Sequence, residues 1–136
     1  MALDYGRRRI GVAATDPSRT IASPHSTIPN GDPPFDPPRP LLRLLRELEP
    51  AMVLVGIPVN MDGSAGEMAA EARSFASRLA ALAGCPVAER DERLSTYEAE
   101  EMLREMDLPK RRKREKGLTD MLAATILLRE YLEEAG

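Results

Sequence analysis

Ala51-Met52-Val53-Leu54-Val55-Gly56-Ile57 is an apolar run of seven residues between Pro50 and Pro58. It carries no polar alternation, so neither of its faces is marked for water. A short continuous apolar segment bounded by prolines reads as a strand covered on both sides, the kind found inside a parallel sheet. Parallel neighbours need crossover connections, and the flanking sequence supplies them. Upstream, Leu41, Leu42, Leu44, Leu45 and Leu48 give a short amphipathic helix that stops at Pro50. Downstream, Met68, Ala72, Phe75, Leu79 and Leu82 line one stripe of a second helix that ends at Gly84. Cys85 to Arg90 then reads as a second parallel strand, running into Asp91-Glu92-Arg93. Ser95 with Glu98 three residues later has the form of a capping box, predicting a helix to about Met106, and Leu118 to Glu134 predicts a last helix.

The opening forty residues follow a different rule. Arg9 to Thr15 is a short β-like run behind the turn-like triplet Asp4-Tyr5-Gly6, which predicts a hairpin with Gly6 supplying permissive turn backbone. Ser26 to Ile28 predicts a third short strand. Residues 29–40 hold six prolines and predict an exposed, moderately stiff connector, neither helix nor central strand. Three strands joined this tightly cannot be mutually parallel. The combination predicts a mixed five-stranded sheet flanked by helices in one domain spanning 1–136, a length ordinary for a single domain.

Composition removes whole classes of chemistry. Cys85 is the only cysteine and His25 the only histidine, which excludes an internal disulfide, a Cys-x-x-Cys zinc or redox site and any histidine-cluster metal site. Acid–base or metal chemistry must therefore come from carboxylates, which suit Mg²⁺ or Mn²⁺. There is no apolar stretch of transmembrane length and no signal-peptide pattern, so the expectation is a cytoplasmic protein with no membrane partner. Net charge is −3, yet residues 110–116 carry net +5 and the remainder −8. An acidic body with one concentrated basic strip calls for a partner.

The acids fall where open α/β sheets bind ligands, beyond the carboxyl ends of parallel strands. The first strand ends at Asp4, the fourth at Pro58-Val59-Asn60-Met61-Asp62, and the fifth at Asp91-Glu92. Asp120 adds a fourth candidate: Ala123, Ala124, Leu127 and Tyr131 follow at helical offsets, so an acid heads an apolar face. Buried carboxylates in a cluster raise one another's pKa unless a cation neutralises them. One divalent metal ion, or two, would do so and create a site for phosphoryl transfer. Each acid also has a plainer reading: Asp4 as an Asx-type turn residue, Asp120 as a helix N-terminal acid, and Asp91 or Glu92 as a surface partner of Arg93.

Leu3-Asp4-Tyr5-Gly6-Arg7-Arg8-Arg9-Ile10-Gly11-Val12-Ala13, Val55 to Ser64 (Val-Gly-Ile-Pro-Val-Asn-Met-Asp-Gly-Ser), Asp91-Glu92-Arg93-Leu94-Ser95-Thr96 and the run Asp120 to Leu132 together resemble the YqgF/RuvX family. These are Holliday-junction-resolvase-like proteins named as pre-16S rRNA nucleases. The resemblance spans nearly the whole chain. It implies an RNase H-like fold with sheet order 3-2-1-4-5 and metal-dependent cleavage of phosphodiester bonds. It implies Asp4 as the acid of the first strand and Asp120 as the acid of the final helix. Related resolvases place a glutamate at the end of the fourth strand. Here that strand ends in Gly56-Ile57-Pro58, so Asp91 or Glu92 must fill the place, with Asn60 and Asp62 assisting. Asp4, Asp91, Glu92 and Asp120 are thus the catalytic and metal-binding candidates. Only Met1 and Ala2 precede Leu3, fewer residues than the family's first strand usually has, so a short central strand is expected.

In that setting Lys110, Arg111, Arg112, Lys113 and Arg114 are expected to contact phosphate backbone, with Arg7, Arg8, Arg9 and Asn60 adding contacts nearer Asp4. The plainer reading of the strip is a solubilising loop. The implied substrate is nucleic acid, and the implied state a monomer or weak homodimer. Three functions compete: a nuclease trimming the 5′ end of precursor 16S rRNA, a resolvase of branched DNA, and a non-catalytic RNA-binding module on the same fold. An ATPase-type phosphate site is disfavoured because the chain lacks a second glycine-rich loop and the length for two lobes.

Overall fold

A computed structural model describes residues 1–58, 66–109 and 116–135, the side chains of residues 93–96 and 116 excepted. Strands β1 (Ala2–Asp4), β2 (Arg9–Thr15) and β3 (Ala22–Pro29) are followed by helix α1 (Arg39–Leu48), strand β4 (Val53–Ile57), helix α2 (Glu67–Leu82), strand β5 (Val87–Asp91), helix α3 (Arg93–Glu105) and helix α4 (Lys116–Ala135). The five strands form one sheet in the order β3-β2-β1-β4-β5. Pairing is antiparallel between β1 and β2 and between β2 and β3, and parallel between β1 and β4 and between β4 and β5. This is the mixed sheet, and the order, that the sequence and the resemblance imply.

All five residues of β4 are buried. Val53, Val55 and Ile57 face a core built with Leu41 and Leu45 of α1 and Phe75 and Leu79 of α2, while Leu54 faces Ala124 and Leu127 of α4. Alternate residues thus enter two different cores, which is why the run shows no polar alternation. A third cluster joins α3 to α4 through Ala99, Leu103, Leu122, Ala123 and Ile126. Ala123 therefore faces α3 and not the sheet, one helical position away from the stripe drawn from Asp120. The layers are α1 and α2 on one face of the sheet, and α4 backed by α3 on the other.

β1 is three residues long, yet it is held on both edges, with Asp4 in register with Gly11 of β2 and Gly56 of β4. At its entry the Met1 carbonyl accepts from the Leu54 N–H at 2.9 Å.

Several local expectations are corrected. The third strand runs over eight residues, 22–29, far beyond 26–28; Pro24 and Pro29 are tolerated because β3 lies at the sheet edge. Helix α1 begins at Arg39 with Pro40 in its first turn, where the missing N–H costs nothing. Helix α3 begins at Arg93 behind Glu92, with no side-chain cap, so Ser95 lies inside the helix and not at its N-cap. Gly6 is required by space, not by positive φ: a Cβ there would clash with the Arg9 carbonyl. The proline-rich connector is not simply exposed. Phe35 packs against the core with the Arg78 guanidinium 4.6 Å above its ring, and Arg78 also pairs with Asp36. No helix among the described residues is long and apolar enough to cross a membrane.

Candidate active site

Three strands end at one edge of the sheet, and their register sets what meets there. Asp4 closes β1 opposite Gly56, and Gly56 lies opposite Arg90 of β5. The chain leaves β5 at Asp91 and enters α3 at Arg93. Glu92 occupies the junction, where its backbone N–H donates to the Ile57 carbonyl at 3.2 Å. That bond holds Glu92 beside the end of β4. Its side chain turns into the space that Gly56 leaves empty: a Cβ on Gly56 would overlap Glu92 Oε2 and lie 2.9 Å from its Cδ. Glu92, at the β5–α3 junction, thus reaches the end of β4 through a glycine.

The same device brings in Asp120. A Cβ on Gly11 would overlap the Asp120 carbonyl and lie 2.8 Å from Asp120 Cβ, so the glycine lets the α4 backbone descend onto β2. Asp120 is the fifth residue of α4. It lies past the first turn, which removes the reading of Asp120 as a helix N-terminal acid.

Glu92 is 3% exposed and its Oε2 has no hydrogen-bond partner. Burial, then the neighbouring Glu92 and Asp120, push the Asp4 carboxyl well above its ordinary range. Glu92 is also pushed up, chiefly by burial, with the charges of Asp120 and Asp91 adding to it and a hydrogen bond from Asp4 opposing. Both shifts oppose two full negative charges side by side on this pair. Asp120 is engaged on its other side, where Arg9 Nε donates to Oδ2 at 3.0 Å.

Asp4, Glu92 and Asp120 are therefore brought together. Asp91 is not part of that group. Strand alternation turns Arg90 toward α4, beneath the Tyr131 ring and paired with Glu134; the same alternation turns Asp91, which is exposed, to the opposite face. Among the basic candidates, Arg7 is ion-paired to Glu71 of α2 at 2.6 Å, and Arg8 is exposed. Asn60, Asp62 and the strip Lys110, Arg111, Arg112, Lys113 and Arg114 lie outside the described residues.

The donor chemistry is all oxygen, which suits a hard divalent cation, and a buried carboxylate oxygen without a partner is the feature a cation would relieve. No group of three His, Cys, Asp or Glu side chains among the described residues is already set as a metal cage. Asp120 is paired with Arg9 instead. Sequence reasoning had no route to Gly11 and Gly56 as the residues that admit the acids. Their signal was present, since each sits in a strand otherwise free of glycine, but its meaning depends on register.

Comparison with known proteins gives the family and the fold. The model of the family described as "RuvX: Holliday junction resolvase" matches residues 1–134. A protein of Chloroflexus aurantiacus named "Putative pre-16S rRNA nuclease" is 41% identical over 133 residues, covering 98% of this chain and 85% of its own length. A relative of the same name from an Anaeromyxobacter species is 42% identical over 133 residues, covering 98% and 95%. Among solved structures, Thermus thermophilus RuvC in complex with a Holliday junction substrate superimposes with a TM-score of 0.55 at 18% identity, over 98% of this chain and 92% of that one. At that identity the likeness concerns the fold alone.

Proposed function

The chain belongs to the RuvX family, and on that premise we propose that it is a metal-dependent nuclease acting on the 5′ end of precursor 16S rRNA. The observation that carries the reading is the buried Asp4–Glu92 pair with Glu92 Oε2 unpartnered, next to Asp120. A module that only bound RNA would have no need to desolvate Asp4 and Glu92 beside a third acid at one strand edge. Asp4, Glu92 and Asp120 would hold Mg²⁺ or Mn²⁺. When bound, such an ion supplies Lewis-acid stabilisation of the phosphate and a water of lowered pKa. Arg8, exposed at the first hairpin, and the strip 110–114 supply phosphate contacts. These orient the backbone without reading bases.

The family's description favours a second substrate, a four-way DNA junction. Cutting both strands of a junction needs two active sites, so that reading requires a dimer under assay conditions, whereas end trimming is compatible with a monomer. The test is cleavage in Mg²⁺ of precursor rRNA, a linear duplex and a four-way junction in parallel, repeated in excess EDTA. The proposal expects precursor rRNA to be the preferred substrate and all cleavage to stop with EDTA. Cleavage that persists in EDTA would overturn the metal-dependent reading, and preference for the junction would replace the substrate.

A further inference from the structure

We propose that Arg9 is the built-in counter-ion of this site: its guanidinium holds Asp120 while no divalent cation is bound, and a cation must displace it to recruit that carboxylate. The proposal rests on the reading of Asp4, Glu92 and Asp120 as a cation site and adds what competes for it.

Arg9 opens β2 and points to the same sheet face as Gly11, two residues on, which is the face α4 covers. Because Gly11 lets the α4 backbone come close, Asp120 arrives beside Arg9, and Nε donates to Oδ2 at 3.0 Å. Among the described residues this is the one ion pair made by any of the three acids. The neighbouring arginines take no part in it, since Arg7 is turned to Glu71 and Glu67, and Arg8 is exposed. Three clustered carboxylates without a cation must shed charge. Here part of that charge is offset by the Arg9 guanidinium on Asp120. The Arg9 side chain is one-third exposed, so it has a solvent route by which to leave.

The experiment is calorimetric titration of Mn²⁺ into metal-free protein, for the wild type, Arg9→Gln, Arg9→Lys and, as a control of equal charge change, Arg8→Gln. Removing a positive charge that sits on a ligand carboxylate should tighten Mn²⁺ binding roughly five- to tenfold in Arg9→Gln, a value reduced for partial solvent screening. Arg9→Lys keeps the charge and should stay within about twofold of wild type, as should Arg8→Gln, whose charge is exposed and screened. A second readout is the rise in Tm on adding saturating Mn²⁺, taken for each variant from its own metal-free Tm. It should be larger for Arg9→Gln than for wild type, whatever stability the lost ion pair removes. Equal or weaker Mn²⁺ binding by folded Arg9→Gln overturns the proposal and leaves the cation site standing. If neither wild type nor any variant takes up Mn²⁺, the cation-site reading fails and the proposal falls with it.

Discussion

At the edge where β1, β4 and β5 finish, α4 descends onto Gly11, and Glu92 folds over Gly56, so that backbone and carboxylates meet with no room for a single added carbon. At the opposite pole of the same sheet face, the far end of α4 stands off. It leaves a cavity of about 530 Å³ whose lining includes Met1, Leu48, Pro50, Met52, Leu128 and Tyr131. Each pole has an aspartate just past or at a strand end. Asp16, beyond β2, accepts from the Ser18 hydroxyl and from the Ile21 and Thr20 backbone N–H groups at 2.9 Å, and those bonds hold its carboxyl well below the ordinary range. Asp4 is desolvated among acids and pushed the other way. The proposed chemistry belongs to the filled pole and not to the open one. Open space marks where packing is poor, whereas a costly, unrelieved burial marks where a ligand's charge is wanted.

The largest expected effect breaks the filled pole. Asp120→Asn keeps the shape but removes the charge offered to a cation, and cleavage should fall by about a hundredfold or more, with nucleic-acid binding retained. Near-wild-type turnover of the purified, folded variant would take Asp120 out of the site. Next come the two glycines, which should separate. In Gly56→Ala the new methyl displaces the end of a flexible side chain, so stability should change little while misplacement of Glu92 lowers cleavage roughly tenfold or more. In Gly11→Ala the methyl meets helix backbone that has nowhere to go, and unfolding free energy should drop by about 1–3 kcal/mol. Equal stability losses in urea melts, with cleavage per folded molecule intact in both, would erase the distinction.

A smaller effect contrasts the two aspartates in metal-free protein. Asp4 has an ordinary value of 3.8 and a raised one in the fold. The unfolded chain therefore loses its proton first, and folding is penalised increasingly as pH rises through the interval above 3.8. Asp4→Asn removes that penalty, so its Tm should exceed wild type at neutral pH and converge with it on acidification. Asp16 is depressed, so it contributes stability above its ordinary 3.8 that is lost as pH falls. Asp16→Asn should lower Tm at neutral pH and converge with wild type in acid. Thermal melts across pH check both, and parallel rather than opposite profiles would contradict the contrast between the poles. Smallest of all, Met52→Leu at the open pole is a nearly volume-conserving swap. It should cost under about 1.5 kcal/mol and leave cleavage unchanged; a lost activity there would show that the two ends are coupled.

Much of the fold is legible in the sequence because its signals are local. The run 51–57 announces a strand covered on both faces by its composition alone, and helix α2 is marked by a stripe of period 3.6 that reaches its end at Leu82. Where local signals compete, they mislead. Ser95 and Glu98 have capping-box spacing, but the strand ends so close to Glu92 that the helix has already begun at Arg93. Pro24 argues against a strand, so the sequence marks only Ser26 to Ile28 of β3, yet at a sheet edge a proline's missing N–H need not cost a ladder bond.

By itself, then, the sequence determined the chemistry available: one histidine, one cysteine and acids at strand ends leave carboxylates as the only cluster that can act. It also determined the order of strands and helices, since each is written in residues close along the chain. It left Asp91 and Glu92 level, as adjacent residues of the same charge must be. The choice belongs to the tertiary structure. The β4–β5 register and the early start of α3 turn Glu92 inward over Gly56 and leave Asp91 on the far face. Arg9 was likewise one of three consecutive arginines until the approach of α4 onto Gly11 gave it alone a carboxylate of the cluster. Periodicity tells which way a side chain faces on its own element, but contact across elements depends on register and on the distance of approach, which no single segment encodes.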